Sequence, residues 1–204
     1  MTTTKSTTKI TAKDVAELRQ RSGAGMMDCK NALEETGGDM DAAVELLRKK
    51  GIARADKRAG REVREGMIAS YIHPPGKIGV LVEINCETDF VARTDDFKTL
   101  GRELAMHIAS AAPLAVDKEG VPKDAVDRER RIAEEQAKQS GKPEAVVQKM
   151  VDGKIESYYK EVALLSQPWV REPKKTISDL VKEVSGKVGE NIVVRRFVRF
   201  QLGE

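Results

Sequence analysis

"GMIASYIHPPGKIGVLVEIN", residues 66–85, contains two apolar runs on either side of a Pro-Pro-Gly turn. Runs rich in β-branched residues around such a turn predict an antiparallel β-hairpin. A similar run at 192–202, "IVVRRFVRFQL", predicts a third strand that lies far from the hairpin in sequence. A sheet made of these strands is therefore completed by the C-terminal end of the chain.

The alternation of this last run predicts which side chains share a face. Arg195 and Arg199 are expected on one face. The apolar side chains are expected largely on the other: Ile192, Val194, Val198, Phe200 and Leu202.

The chain between these strands is predicted to be helical. Residues 95–110 carry apolar residues at helical spacing, which form a single stripe: Phe97, Leu100, Leu104 and Ile108. Two charged segments within 122–165, separated by "SGKP", predict an antiparallel helical hairpin that projects from the core. The fold class is therefore predicted to be α+β, a small antiparallel sheet packed with helices.

Residues 11–51 are predicted to form three short helices with a small common core. Thr11 and Asp14 have the spacing of a capping box, Asp39 is a helix N-cap, and Gly51 is expected to end the third helix. The Thr-rich start, "MTTTKSTTKI", is interpreted as a frayed tail.

Three divisions follow from this organisation. They are a flexible tail and three-helix module at 1–53, a basic linker at 54–65, and an α+β core at 66–204 with the helical hairpin of 122–165 inserted. The block at 48–64, "RKKGIARADKRAGREVR", carries eight Lys or Arg and two acids. We interpret it as a solvated linker or helix face, with contact to an acidic partner or to RNA as the alternative.

Composition limits the possible functions. The 204 residues include 36 Lys or Arg against 33 Asp or Glu, so the net charge of +3 does not by itself indicate nucleic-acid binding. There is no run of about 18 apolar residues, so no membrane span is expected. Cys29 and Cys86 lie far apart, and with only His73 and His107 the chain has no zinc ligand set. We expect free thiols in a reducing cytoplasm, and no metal or cofactor.

The sequence does not favour an enzyme. It contains no nucleophile elbow, phosphate-binding loop, dinucleotide-binding motif or zinc-protease motif. His73 is interpreted as a turn residue beside Pro74, and His107 as a hydrogen-bonded histidine at the edge of an apolar stripe. No catalytic residue is therefore predicted.

Three apolar residues occupy unusual positions. Phe90 follows the end of a strand, in "NCETDFVAR" at 85–93, where turn residues are expected. Met27 falls off the apolar face that Met26 shares with the rest of its helix, and Trp169 lies in a loop between prolines. Each either docks a partner or makes a small core contact.

Several segments together closely resemble the bacterial elongation factor Ts family. They are "ELRQRSGAGMMDCKNALEETGGDMDAAVELLRKKG", "INCETDFVAR", "LAMHIAS", "QSGKPEAVVQKMVDGKI" and "QPWVREPKKTI". The resemblance implies a ubiquitin-associated-like N-terminal module. It also implies a guanine-nucleotide exchange factor that binds elongation factor Tu, in its GDP-bound and nucleotide-free forms, during translation in the cytoplasm.

The resemblance also implies which residues touch that partner. Asp89 and Phe90 are expected to form a wedge that enters the GTPase domain beside its switch helix and disturbs the binding of magnesium and phosphate. The residues implied at the interface are Arg19, Met26, Met27, Arg58, Thr88, Asp89, Phe90, Val91, Ala92, Arg93, His107, Pro168, Trp169, Val170 and Gly189. Arg171 stands where the family is expected to have methionine, so contact by the loop of Pro168–Val170 is left open.

The chain departs from the long members of the family, which carry two copies of the core. This chain has room for one, because "VGENIVVRRF" resembles the end of the first copy and "VRFQLGE" the end of the second. We predict a homodimer that binds its partner as a two-plus-two complex, with a monomer as the alternative. The alternative function is an RNA-binding translation factor that uses the basic block at 48–64.

Overall fold

The computed structural model describes residues 10–203, so residues 1–9 of the predicted tail lie outside the described part. The described chain has the predicted α+β architecture. Its helices and strands, in chain order, are α1 (Ala12–Ser22), α2 (Met26–Glu35), α3 (Met40–Asp56), β1 (Glu65–His73), β2 (Ile78–Cys86), α4 (Asp89–Ala92), α5 (Asp95–Ala111), α6 (Lys123–Lys138), α7 (Glu144–Val162), a 3-10 turn (Leu164–Ser166), β3 (Pro168–Trp169), β4 (Glu172–Thr176), α8 (Ile177–Val188) and β5 (Ile192–Gln201).

These elements form two compact units. The first contains residues 10–62 together with Lys182–Asn191, and the second contains Val63–Val181 and the residues from Ile192 onward. The first unit thus includes a segment, 182–191, that the sequence placed in the α+β core. Residues 54–56 of the predicted linker belong to helix α3.

The predicted three-helix module is present in the first unit. The Asp14 carboxylate accepts a hydrogen bond from the Thr11 N–H, and the Thr11 hydroxyl accepts one from the Asp14 N–H, which confirms the capping box. Asp39 caps α3 by accepting from two backbone N–H groups. The helices enclose a small apolar core of Val15, Leu18, Cys29, Ala32, Leu33, Ala43 and Leu47.

The prediction that Gly51 ends the third helix is wrong, because α3 continues to Asp56. Gly51 instead faces Gly186 of α8, and a Cβ added to Gly186 would lie 2.8 Å from the Gly51 carbonyl oxygen. The two helices approach closely at a point where neither has a side chain. This contact joins residues distant in sequence, which explains why local pattern did not reveal it.

The sheet of the second unit has the order β1-β2-β5, with both pairs antiparallel. Helix α5 packs on its inner face, with the predicted apolar stripe buried. Gly101 permits the close approach, because a Cβ there would lie 2.9 Å from the Ala69 Cβ on β1. The hairpin and the third strand are therefore confirmed.

The predicted single apolar face of β5 is wrong beyond Val194. Ile84 of β2 pairs with Val194, but Glu83 pairs with Arg196, so Arg195 forms a one-residue bulge. An extra residue inverts the alternation that follows it. As a result Val198 and Phe200 lie on the outer face of the sheet, 40% and 67% exposed.

The predicted helical hairpin is formed by α6 and α7. Its small contact core consists of Ala133, Ala137 and Val151, with Val147 and Met150 packed against it. None of the helices in residues 10–203 is long and apolar enough to cross a membrane.

Candidate partner-binding site

The wedge segment, residues 88–93, lies between the end of β2 and the start of α5. Thr88 is the N-cap of the single-turn helix α4, and its carbonyl oxygen accepts a hydrogen bond from the buried Cys86 thiol at 3.2 Å. Val91 is buried on the core side. The segment is therefore fixed at its base by a cap, a thiol and one apolar anchor.

Phe90 projects from this turn into solvent. Its side chain is 83% exposed, so the alternative that Phe90 makes a core contact does not hold. Full burial of a phenylalanine against another protein contributes about 1.5–3 kcal/mol. An aromatic side chain held outward on an ordered turn is suited to enter a pocket of a partner.

Asp89 and Arg93 form an ion pair at 2.5 Å on the same turn. Both side chains are at least half exposed to solvent, so the pair contributes little to stability. Either group can exchange this contact for one to a partner at small cost. Ala92, directly before Arg93, is half-buried and adds no bulk to the turn.

A second exposed feature of this unit is the loop of Pro168–Val170, at the turn between β3 and β4. Pro168 and Val170 are exposed, and Trp169 is half-buried with an indole N–H that has no hydrogen-bond partner among the described residues. The loop therefore offers Pro168 and Val170 rather than the full tryptophan ring.

His107 lies behind this loop and is fully buried. The Val170 N–H donates to its Nδ1 at 3.4 Å, which leaves the proton on Nε2 to be donated to the Gln167 side-chain oxygen at 2.9 Å. Burial lowers the pKa of His107, and the hydrogen bond to Gln167 opposes this effect. Buried His107 therefore supports the loop from below, and the exposed residues of the loop form the surface available to a partner.

The wedge segment and this loop lie near opposite ends of α5. His107 follows the first residue of α5, Asp95, by 12 positions, which corresponds to about 18 Å along the helix axis. One rigid helix thus sets the spacing of the two exposed features.

The first unit carries the remaining predicted contact residues. Met26 and Met27, at the start of α2, are 49% and 65% exposed, and Arg19 is exposed on α1. Met26 was expected to share the buried face of its helix, whereas only Cys29, Ala32 and Leu33 are buried. Its place in the first turn, at the edge of the module, accounts for the difference.

Arg58 and Gly189 belong to segments that the structure brings together. The Asn191 side chain donates to the carbonyl oxygens of Ala59 and Arg61, at 3.4 and 2.9 Å. Arg58 is half-buried, and its Nη1 has no hydrogen-bond partner among the described residues. Gly189 has a positive φ of 82° and follows the last residue of α8.

Four cations of the basic block form ion pairs with acids of the first unit. Arg54 forms a two-bond ion pair with Asp28, with both distances 2.8 Å, and this contact holds the pKa of Asp28 below its usual value. Three further cations of the block are paired with acids: Arg48 with Glu183, Lys49 with Glu45 and Lys50 with Glu35. At least these four of its eight cations are thus engaged.

Glu103 and Gln167 contact residues of this region, and sequence reasoning missed both. Glu103 pairs with Arg171 at 2.7 Å, and Gln167 bonds His107, 60 residues away. Neither has a local signal, because each contact joins distant segments. Within residues 10–203 there is no group of three or more His, Cys, Asp or Glu placed to hold a metal ion, and both cysteines are buried as free thiols.

Comparison with known proteins adds a family to this geometry. Residues 2–204 match the elongation factor TS family. The chain is 56% identical over 196 residues to elongation factor Ts of Fervidobacterium nodosum, covering 96% of this chain and 100% of that protein. It is 57% identical over 195 residues to elongation factor Ts of Carboxydothermus hydrogenoformans, covering 96% and 90%.

Proposed function

Because the chain belongs to the elongation factor Ts family, we propose that it is the guanine-nucleotide exchange factor of elongation factor Tu. It binds that GTPase in the GDP-bound and nucleotide-free states and promotes GDP release during translation in the cytoplasm. The observation that carries this proposal is Phe90, 83% exposed on a capped turn. The chain has no catalytic residue of its own in this role, because release of a bound nucleotide breaks no covalent bond.

In this proposal the wedge segment acts on the nucleotide site of the partner. Asp89 and Phe90 enter the GTPase domain beside its switch helix and disturb the groups that support magnesium and the phosphates. Thr88, Val91, Ala92 and Arg93 shape and hold the turn that carries them. Cys86 supports its base.

The wedge needs additional contacts. Faster GDP release by about 10⁴ requires about 5.5 kcal/mol of differential binding to the nucleotide-free state. Burial of one phenylalanine contributes about 1.5–3 kcal/mol of binding free energy. We therefore assign the rest to the exposed Arg19, Met26 and Met27, to Arg58 and Gly189, and to the Pro168–Val170 loop supported by His107.

The coupling between nucleotide binding and binding of this protein acts in both directions. If this protein weakens nucleotide binding, nucleotide must weaken binding of this protein by the same factor. Stopped-flow release of a fluorescent GDP from elongation factor Tu tests the proposal directly. Release must accelerate with added protein, and excess GDP must dissociate the complex; an unchanged release rate would overturn it.

The ion pairs in the basic block favour this role over RNA binding. A phosphate backbone needs free cations, and Arg54 is already bound on both nitrogens by Asp28. Binding that falls steeply with salt and is insensitive to GDP would instead support the RNA-binding alternative.

We also propose a homodimer through the outer face of the sheet. Exposed apolar side chains from all three strands of this face are Ile68, Ile72, Leu81, Val198 and Phe200. Strand pairing places them side by side, since Leu81 pairs with Val198, and Gly79 lies between Ile72 and Phe200.

The second copy of this chain is the proposed occupant of this face. Helix α5 covers only the inner face, so the monomer leaves these residues in water. A two-fold contact between identical sheets covers both outer faces at once and gives a two-plus-two complex with elongation factor Tu.

A further inference from the structure

We propose that Glu103 and Arg171 form a clamp that positions the Pro168–Val170 loop for its partner. Neither residue is among the contact residues assigned above, and both adjoin the loop or the helix beneath it. The inference rests on the proposed function in one respect, which is that this loop meets elongation factor Tu.

The first tie of the clamp is an ion pair. Arg171 Nε lies 2.7 Å from Glu103 Oε2, and its guanidinium also donates to the Met106 sulfur at 3.8 Å. The Glu103 side chain is 15% exposed, whereas that of Arg171 is 58% exposed. A carboxylate this sheltered is costly to leave without a cation, so the pair holds Arg171 against α5.

The second tie lies one residue earlier in the chain. The Val170 N–H donates to His107, and His107 bonds Gln167. Gln167 is itself fixed, because its amide donates to the Glu161 carbonyl at 2.6 Å and its own carbonyl accepts from the Ile177 N–H at 3.0 Å. The side of the loop before Val170 is therefore anchored by buried polar groups.

The two ties share one helix face. Glu103, Met106 and His107 occupy positions i, i+3 and i+4 of α5, so they line a single stripe. Residues 167–171 contact this stripe at both ends. Val170 forms the second tie through its N–H and directly precedes Arg171 of the first tie, while its side chain stays 48% exposed.

This arrangement fixes an exposed apolar residue without burying it. A loop that populates its binding geometry only part of the time binds with an affinity reduced by that fraction. Loss of the Glu103 tie should therefore weaken binding to the partner even though neither clamp side chain enters the contact. His107 acts in the same way, as a positioning residue for Val170.

The test is a charge-pair cycle with binding kinetics and thermal unfolding measured on the full chain. Glu103→Gln and Arg171→Gln should each weaken binding to GDP-loaded elongation factor Tu by about threefold to tenfold. The exchanged pair, Glu103→Arg with Arg171→Glu, should recover most of that loss. Arg171→Lys, which keeps the charge, should bind within about twofold of wild type. It replaces the exchanged pair as the rescue test if that double variant does not fold.

Three outcomes would overturn the clamp. Lower unfolding temperatures with unchanged affinity would show a structural role only. Weaker binding by Arg171→Gln but not by Glu103→Gln would show that Arg171 touches the partner directly. Failure of both the exchanged pair and Arg171→Lys to recover binding, with normal unfolding, would show that the ion pair is not the cause.

Two control variants separate failure of the clamp from failure of the proposed function. Val170→Ser removes the proposed loop contact, and Phe90→Ala removes the wedge. If Val170→Ser weakens binding while the clamp variants do not, the loop contact holds and the clamp is wrong. If Val170→Ser also binds as wild type while Phe90→Ala slows GDP release, the exchange function stands and the clamp is overturned with the loop contact.

Discussion

Phe90 is exposed on a turn that the residues around it hold in place. Thr88 caps it, Val91 anchors it in the core, and the Cys86 thiol bonds the Thr88 carbonyl. The sequence marked the position of Phe90 as unusual but left open a partner contact or a small core contact, and the structure decides for exposure. His107 is the opposite case. The sequence indicated a hydrogen-bonded histidine at the core edge, but its partners Gln167 and Val170 come from a distant segment.

The burial of His107 predicts a pH dependence of stability. Its pKa is lowered in the folded protein, so between the folded and unfolded pKa values the unfolded chain binds more protons. The contribution of neutral His107 is full above the ordinary value of about 6.5 and is lost as pH falls through that value toward the folded pKa.

Thermal unfolding of wild type and His107→Gln across that range measures this contribution. The advantage of wild type should be largest above about pH 7 and should shrink toward pH 5. A difference between the two proteins that is constant across this range would contradict the assignment.

At the scale of elements, the helices and the hairpin were predictable because their signals are local. The α5 stripe, the capping box and the Pro-Pro-Gly turn each lie within one segment. The bulge at Arg195 and the contact of Gly51 with Gly186 were not, because each depends on which distant segment lies opposite. The clamp of Glu103 and Arg171 belongs to the same class.

Two helical glycines make a matched pair for testing the packing of α5. A Cβ at Gly101 would lie 2.9 Å from the Ala69 Cβ and 3.2 Å from Ile84, whereas one at Gly153 on α7 would meet nothing within 4 Å. We expect Gly101→Ala to lower the free energy of unfolding by about 1–3 kcal/mol. Gly153→Ala should raise it by about 0.5–1 kcal/mol.

Urea unfolding of both variants measures the difference. A Gly101→Ala protein as stable as wild type would show that α5 does not rest on β1 as closely as described. A destabilised Gly153→Ala protein would show that α7 has a contact at this position.

At the scale of the whole molecule, the bulge determines where the apolar surface lies. Because the bulge turns Val198 and Phe200 outward beside Leu81, strand β5 contributes apolar side chains to the core at its start and to the outer face at its end. The sequence led to the same homodimer prediction, but by assigning both sets of residues to one face. The structure moves the proposed contact to the outer face of the sheet.

Phe200→Asp tests the proposed homodimer. Placing a carboxylate in a two-fold apolar contact brings like charges together, so we expect the variant to be monomeric at micromolar concentration where wild type is a dimer. Ile132→Asp, on the exposed side of α6, is the matched control and should remain dimeric. Sedimentation equilibrium showing wild type as a single species of monomer mass would contradict the dimer.

The most direct test of the central claim is GDP release by a Phe90→Ala protein. Stopped-flow release of fluorescent GDP from elongation factor Tu should be slower than with wild type by about tenfold or more, since the variant loses the burial of one aromatic side chain. Leu114→Ala, which truncates another exposed apolar side chain of the same unit, should release GDP at the wild-type rate. Thermal unfolding of Phe90→Ala should be unchanged, because the side chain is 83% exposed. Wild-type release with an unchanged unfolding curve would contradict the wedge.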